Sequence, residues 1–420
     1  MTWENLNKHS TNVWIGVEST FGTTSSNMRP LIIASDPPWP NAGQTTKMIP
    51  RAEARPSRRA FQSPVKGMES GSPVTFGVDL KPISTRLNSA ATPVAYSNAA
   101  ALSHQIVLRA ALGAELTPAA GTAAVSYSAP DLTVTTGHGS RFAIGQWIGV
   151  VSSVGLEVRQ VTAIATDVLT LQPPLSGTIA GTEEVRNAYC YYPAEDDTTT
   201  YTIEHAPIEA GSNETQTRAR GAVFNNPEFS IAFGDVPKLT MNGTSAAHDG
   251  PGDLSLSETA QTDDMGSPFA FDVSSGNGSA WLAASLASVP SAALITSAKV
   301  SIPRQWQEIP GAGGVSSLAA VKEVASPSQP ITIEIELRGG TAEVTAFASM
   351  TARHLVLWSI FGTGTSARAI GWHFPNTIPA MEPVVQINGE LAFCKATLIA
   401  HQNTLATTDL GRANVIMFLL

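Results

Sequence analysis

Residues 331–338 read Ile-Thr-Ile-Glu-Ile-Glu-Leu-Arg, so Ile331, Ile333, Ile335 and Leu337 alternate with Thr332, Glu334, Glu336 and Arg338. Successive side chains on a strand point to opposite faces, and a strict period of two therefore specifies a strand with one face buried and one wet. The same period recurs at Val13-Ile15-Val17, at Val74-Phe76-Val78-Leu80 and at Phe229-Ile231-Phe233. Leu239 with Met241, a strand opened by Val223, and Val300 with Ile302 continue it. Leu391-Phe393 followed by Ala396-Leu398 suggests a last long strand with a kink. A three-to-four spacing is clearest once: Ser97 or Asn98 can cap a helix carrying Leu102 and Ile106, and Gly113 stops it. The chain is therefore predicted to be mainly β with one flanking helix. Residues 351–361 fit either a second helix or a fully buried strand, because a short continuous apolar run has no readable period.

With 420 residues the chain exceeds a single core, and its composition shifts mark the seams. Residues 119–192 read as a small inserted β-barrel or sandwich, with strands around Leu132-Val134, Trp147-Ile148-Val150, Leu156-Val158 and Val168-Leu169-Leu171. Turn signals there fall about every 8–12 residues. The insertion splits a larger β domain into residues 1–116 and 198–420. Within the first part, residues 36–64 carry Pro37, Pro38, Pro40, Pro50, Pro56 and Pro64, which predicts an arm without regular structure. Within the second, the Gly-, Ser- and Asp-rich residues 243–280 read as an irregular loop. The apolar end Val415-Ile-Met-Phe-Leu-Leu420 must be covered by this subunit or by a neighbour, with Ile416, Phe418, Leu419 and Leu420 as the candidate contact.

Only 14% of residues are charged, against roughly a quarter in ordinary globular proteins. Interface cores are depleted in charge, so this deficit suits a surface that other subunits cover. The net charge of −9 gives no global attraction to nucleic acid or anionic lipid. The charge is uneven. Lys47, Arg51, Arg55, Arg58, Arg59, Lys66, Lys81 and Arg86 outnumber Glu53, Glu69 and Asp79 in one stretch, whereas residues 195–264 are strongly acidic. Phe61 is the one aromatic residue within the basic stretch 47–66, too few for stacking on bases. Arg51, Arg55, Arg58, Arg59, Phe61 and Lys66 are therefore candidates for an assembly arm that lies on another subunit.

Two cysteines, Cys190 and Cys394, stand in no motif and suit a reducing compartment. Met1–Ser10 is polar, and no apolar run approaches the roughly 18 residues of a membrane span. The expectation is a soluble chain in a cytoplasm with no membrane insertion. The histidines are scattered singly, and His248-Asp249 with Asp253 lacks the spacing and the second nitrogen of a metal site. Gly362-Thr-Gly-Thr-Ser366 lacks the lysine of a phosphate-binding loop, and no nucleophile elbow is present. No catalytic residue, metal ligand or cofactor is nominated, and the reading is an assembly protein rather than an enzyme.

The opening Trp14-Ile-Gly-Val-Glu-Ser-Thr-Phe-Gly22 resembles the start of siphophage-type bacteriophage major tail proteins, which form tail tubes. The order that follows is similar too: Arg51-Ala-Glu-Ala-Arg55 with Arg58-Arg59, Val65-Lys-Gly67 before the strand Val74–Leu80, and a helix ending in Leu112-Gly113. Phe142–Leu171 looks like the small β module inserted in larger members, and Ala367–Pro379 before a last long strand resembles their closing pattern. Residues 243–320 match none of it. The resemblance implies a double antiparallel sheet of tail-tube type, and a chain whose main partner is itself, in rings (usually hexamers) stacked into a tube. DNA would pass through without specific binding. Tape-measure, terminator and tail-tip proteins would be further partners, with assembly in the host cytoplasm and residence in the virion tail. A receptor- or carbohydrate-binding β-sandwich of a phage tail or cell surface is the competing expectation.

Overall fold

A computed structural model of the chain describes residues 11–31, 33, 45–49, 65–70, 72–81, 103–194, 197–207, 216–252, 254, 269–272, 278–310, 318–324, 330–338, 351–380, 384–388, 391–402 and 406–420. The strand Ile331–Arg338 pairs with Ile295–Ser301 on one side and Leu391–Ala400 on the other. From Ile295–Ser301 the antiparallel ladder continues through Glu228–Ala232 and Lys238–Ser245 to Ser72–Asp79. Along Ile331–Arg338 the four aliphatic residues are buried and the four polar ones reach the surface, as the period of two requires.

A second antiparallel sheet runs Gly278–Ala283, Arg353–Phe361, Arg368–Pro379, Ile416–Leu419, Tyr189–Pro193 and Gly113–Leu116. The end of Arg368–Pro379 crosses to Leu391–Ala400, with Thr377 opposite Ala400, and so joins the two sheets. A third group, Arg29–Leu31, Thr11–Val17, Tyr201–Pro207, Gln216–Phe224 and Ala247–Gly252, connects where Val223 and Phe224 meet Thr244 and Gly243. Val74, Phe76, Ile333, Leu355, Trp372 and Met417, drawn from the first two sheets, fill one core with Ile15, Phe224 and the apolar face of the helix Ser103–Leu112.

Thr122–Ser128, Asp131–Val134, Trp147–Ser152, Gly155–Ala165, Val168–Gln172 and Glu184–Asn187 close into a barrel with its own core, including Ile148, Val150, Leu169, Leu171 and Val185. Closure removes open strand edges. The barrel packs on the outer face of the second sheet, where Trp147, Leu156 and Val158 meet Val356, Trp358 and Phe418. Trp147 stacks on Phe418 with ring centroids 4.8 Å apart.

The second sheet is thus covered on both faces, and this settles the ambiguous segment: Arg353–Phe361 is a strand. Leu355 and Leu357 enter the main core, while Val356 and Trp358 face the barrel. A strand buried on both faces has no polar side, so its sequence does not alternate. The C-terminal strand has the same cause. Met417 and Leu419 face the main core, and Ile416, Phe418 and Leu420 face the barrel layer.

The helix ends at Leu112, and Gly113 takes φ +107, a left-handed conformation that releases the chain into the next strand. His104, inside the helix, is a packing residue whose Nε2 lies 2.8 Å from the carbonyl oxygen of Asp79. Residues 97–102 of the expected helix lie outside the described residues.

Three expectations are corrected. The stretch 34–64 contains a strand, Thr45–Ile49, in its longest proline-free run, between Pro40 and Pro50. Residues 243–252 are not irregular: Lys238–Ser245 and Ala247–Gly252 are strands whose small and polar residues are held by ladder pairing, without a run of buried apolar side chains to announce them. Val223 lies near the end of its strand, which begins at Gln216, because the outward positions before it are filled by Arg218 and Arg220.

Candidate assembly surface

Two hairpins stand apart from the large sheet. Thr45–Ile49 pairs with Val65–Ser70, and Gln305–Pro310 pairs with Leu318–Val324; each pair forms a two-stranded sheet of its own. Their roots lie at the same end of the body. Ser72, just after the first hairpin, faces Ser245, and the strand bearing Ser245 places Thr240 opposite Glu228. Glu228 also faces Ser301, from which the chain runs on toward the Ser245 end, Arg304 N–H bonding to Asn225 O and Asn225 N–H to Asn242 O, before the second hairpin starts at Gln305. A lone two-stranded hairpin is marginally stable in water, so projections of this kind gain most from lying against something else.

The expected arm residues fall on the first hairpin. Residues 50–64 join its two strands, so Arg51, Arg55, Arg58, Arg59 and Phe61 belong to that connection and lie outside the described residues. Lys66 is in the strand Val65–Ser70, opposite Met48. The C-terminal candidates Ile416, Phe418, Leu419 and Leu420 are each buried within the chain, where they separate the main core from the barrel layer.

The root of the second hairpin is pinned by charges that the sequence did not single out. Buried Arg304 donates from Nη2 to Asp197 at 2.9 Å and from Nη1 to the carbonyl oxygen of Ala110 at 2.5 Å, near the C-terminal end of the helix. Arg109 adds a second ion pair to the Asp197 carboxylate at 3.1 Å. The Arg304 guanidinium lies 4.9 Å from the ring of Trp306, whose indole N–H bonds to the carbonyl of Phe224 at 2.9 Å. Helix end, sheet and hairpin root are therefore joined through one cation. The available signal was Ile302-Pro303-Arg304-Gln305-Trp306, where an alternating strand breaks at a proline and a charged residue follows.

The phrase Trp14–Gly22 folds around Glu18. Its carboxylate accepts from Gly22 N at 2.9 Å, Thr200 Oγ1 at 2.7 Å, Thr202 Oγ1 at 2.9 Å and Gly221 N at 2.7 Å. Gly221 has φ +62, and a Cβ there would sit 2.8 Å from the Cβ of Ala246. Arg220 closes the same region with a bond to Gly22 O and an ion pair to Asp249 at 2.8 Å. Asp249 is thus a strand residue paired with an arginine. Asp253 lies outside the described residues.

The outer face of the first sheet is exposed and mixed in charge. Lys299 pairs with Glu228 at 3.0 Å and Lys395 with Glu336 at 3.5 Å, and Glu334 stands opposite Lys299 on the next strand. Lys299, Glu334, Glu336 and Lys395, with Ser230, Ser297 and Thr397, line a shallow concavity of about 370 Å³. Among the described residues no three His, Cys, Asp or Glu groups come together as a metal site. Burial pushes the Cys190 thiol up to about 12, so it stays protonated and unreactive near neutrality. No protein-family model matches the chain, and no curated protein does.

Proposed function

We propose that the chain is a self-assembling structural subunit that forms rings stacked into a tail tube, through which DNA passes from capsid to host. The observation that carries this reading is the pair of hairpins leaving one end of the body, the strands of one of them being joined in sequence by the basic, proline-rich residues 50–64. Such projections suit contacts between successive rings, and the unmatched ladder edges of the sheets suit lateral contacts within a ring.

Two further features support it. The exposed face of the first sheet pairs its acids with lysines, a surface with little net pull on a polyanion. The tryptophans Trp14, Trp147, Trp281, Trp358 and Trp372 are buried, which removes them as a platform for a sugar and disfavours the carbohydrate-binding alternative. The barrel, attached to the far face of the second sheet, would then sit on the outside of the tube.

Negative-stain microscopy of the purified chain over rising concentration tests the reading. Rings or tubes are expected. A species that stays monomeric at the highest concentrations would overturn it.

A further inference from the structure

The barrel is joined to the second sheet through a three-ring hydrogen-bond relay. Trp147 of the barrel donates its indole N–H to Nδ1 of His373 at 3.3 Å. Nε2 of His373 lies 3.1 Å from Nδ1 of His354. The two imidazoles are stacked, with centroids 5.4 Å apart, and Trp147 meets His373 edge-on at 5.1 Å. Trp147 and His373 are fully buried, whereas His354 is half-buried and forms the solvent end of the chain.

The donor order in this relay is fixed at one end. An indole N–H can only donate, so His373 must accept at Nδ1 and carry its proton on Nε2. His354 must then accept at Nδ1 and carry its own proton on Nε2. A proton added to His354 puts N–H groups on both sides of the His373–His354 contact. His373 can answer only by moving its proton to Nδ1, which sets that N–H against the indole N–H of Trp147. Two donors facing each other in a dry interface are repulsive and cost their hydrogen bonds. Wherever the extra proton rests, one link of the relay is lost, and the tautomer shift carries the loss to the barrel contact.

We infer that the Trp147–His373–His354 relay is an acid-sensitive latch, which loosens the barrel from the sheet when His354 takes up a proton.

The surroundings agree. Burial holds both imidazoles below the usual histidine range, and for His373 the charge of a protonated His354 acts in the same direction. The charged groups on the elements packed around the pair are Glu157, Arg159, Glu184 and Arg186 on the barrel, Arg353 beside His354, and Asp409 and Arg412 on the short helix Asp409–Arg412. Glu157 is paired with Arg159 and Glu184 with Arg186, and Arg412 bonds to the carbonyl of Ala406. No carboxylate contributes to the shift of either histidine. The strand Ile416–Leu419, opposite His373, brings no titratable side chain. Among the described residues, the added charge therefore meets no carboxylate side chain that compensates it. This inference does not depend on the tail-tube reading.

Hydrogen exchange on the full chain tests it, with rates corrected for intrinsic pH dependence. Between about pH 7.5 and about pH 5, protection of amides in 147–152 and 416–419 is expected to fall at least about tenfold further than that of 168–172 inside the barrel, which reports the general loss of stability. His354→Gln keeps an acceptor for His373 but does not titrate, and it should hold that excess below about twofold. An equal excess in both proteins, no fall in the wild type, or parallel loss at 168–172 would overturn the latch. Nitrogen-15 NMR of the wild-type imidazoles gives a check free of any variant: at about pH 7.5 His373 must carry its proton on Nε2, and the Nδ1 tautomer would refute the relay.

Discussion

The Glu18 carboxylate accepts a 2.7 Å hydrogen bond from the backbone N–H of Gly221, a residue 203 positions later in the chain. Just past the first strand of the fold, it reaches the strand Gln216–Phe224 through the Gly221 amide, takes two hydroxyls from Thr200 and Thr202, and closes its own turn on the Gly22 amide. A buried carboxylate is tolerated here because its oxygens are fully engaged.

Removing it should therefore be expensive. Glu18→Ala leaves four donors to lose their acceptor and is expected to destabilise by about 3 kcal/mol or more, read as a lower urea midpoint at unchanged slope. Glu18→Gln retains one acceptor oxygen and should recover about half of that loss. A midpoint within error of wild type for Glu18→Ala would show that the knot contributes nothing.

Arg304 makes a different kind of contact. Asp197 and Arg304 are both buried, and truncating Arg304 removes its bonds to the Asp197 carboxylate and the Ala110 carbonyl while Arg109 still balances the carboxylate. Arg304→Ala should cost about 2–3 kcal/mol. Arg304→Lys should recover little, because a single ammonium cannot reach the helix carbonyl and the carboxylate while lying over Trp306. Thermal denaturation of the three proteins measures this. Full rescue by lysine would mean that charge alone matters at this position.

How much of this was legible beforehand depended on whether a strand had a wet face. Ile331–Arg338 and Val74–Leu80 were readable because each has one. Arg353–Phe361 and Ile416–Leu419 were not assignable to a partner, since both of their faces are covered, by the core on one side and the barrel on the other. Short strands such as Ala247–Gly252 escaped notice because they are held by ladder hydrogen bonds and an Arg220–Asp249 pair, neither of which leaves a hydrophobic period. Ionic pins such as Arg304–Asp197 join residues 107 positions apart, a distance no local pattern can bridge. The opening phrase drew attention as a resemblance, yet the physical role of Glu18 within it emerged only from its partners near residues 200 and 221.

Buried histidine makes the chain acid-labile. Burial pushes His205 down to about 4 from its ordinary 6.5. The unfolded chain thus takes up this proton first as the pH falls, so the contribution is complete above about 6.5 and is lost between there and about 4. Over that window the slope should be about 1.4 kcal/mol per pH unit from this residue. Urea unfolding at stepped pH should give His205→Asn a shallower decline by that amount. Equal slopes in the two proteins would mean that His205 is not held neutral.

The hairpins give the sharpest separation between folding and assembly. Neither belongs to the large sheet or to the barrel, so replacing residues 308–321 with a two-residue turn between Gln307 and Lys322, which keeps Trp306 in place, should leave both cores intact. Replacing 50–64 with a two-residue turn shortens the other projection while keeping its strands. Both proteins are expected to fold, with midpoints within about 1 kcal/mol of wild type, because few surface changes outside a core exceed that. On the proposed tail-tube function, both should fail to build the tubes expected of the parent, as read by sedimentation and microscopy. By contrast, removing residues 416–420 opens the main core and the barrel layer together and should abolish folding itself. Wild-type tubes from either hairpin variant would take that projection out of the assembly contact. Soluble, folded protein after the C-terminal truncation would contradict the two-sided burial of that strand.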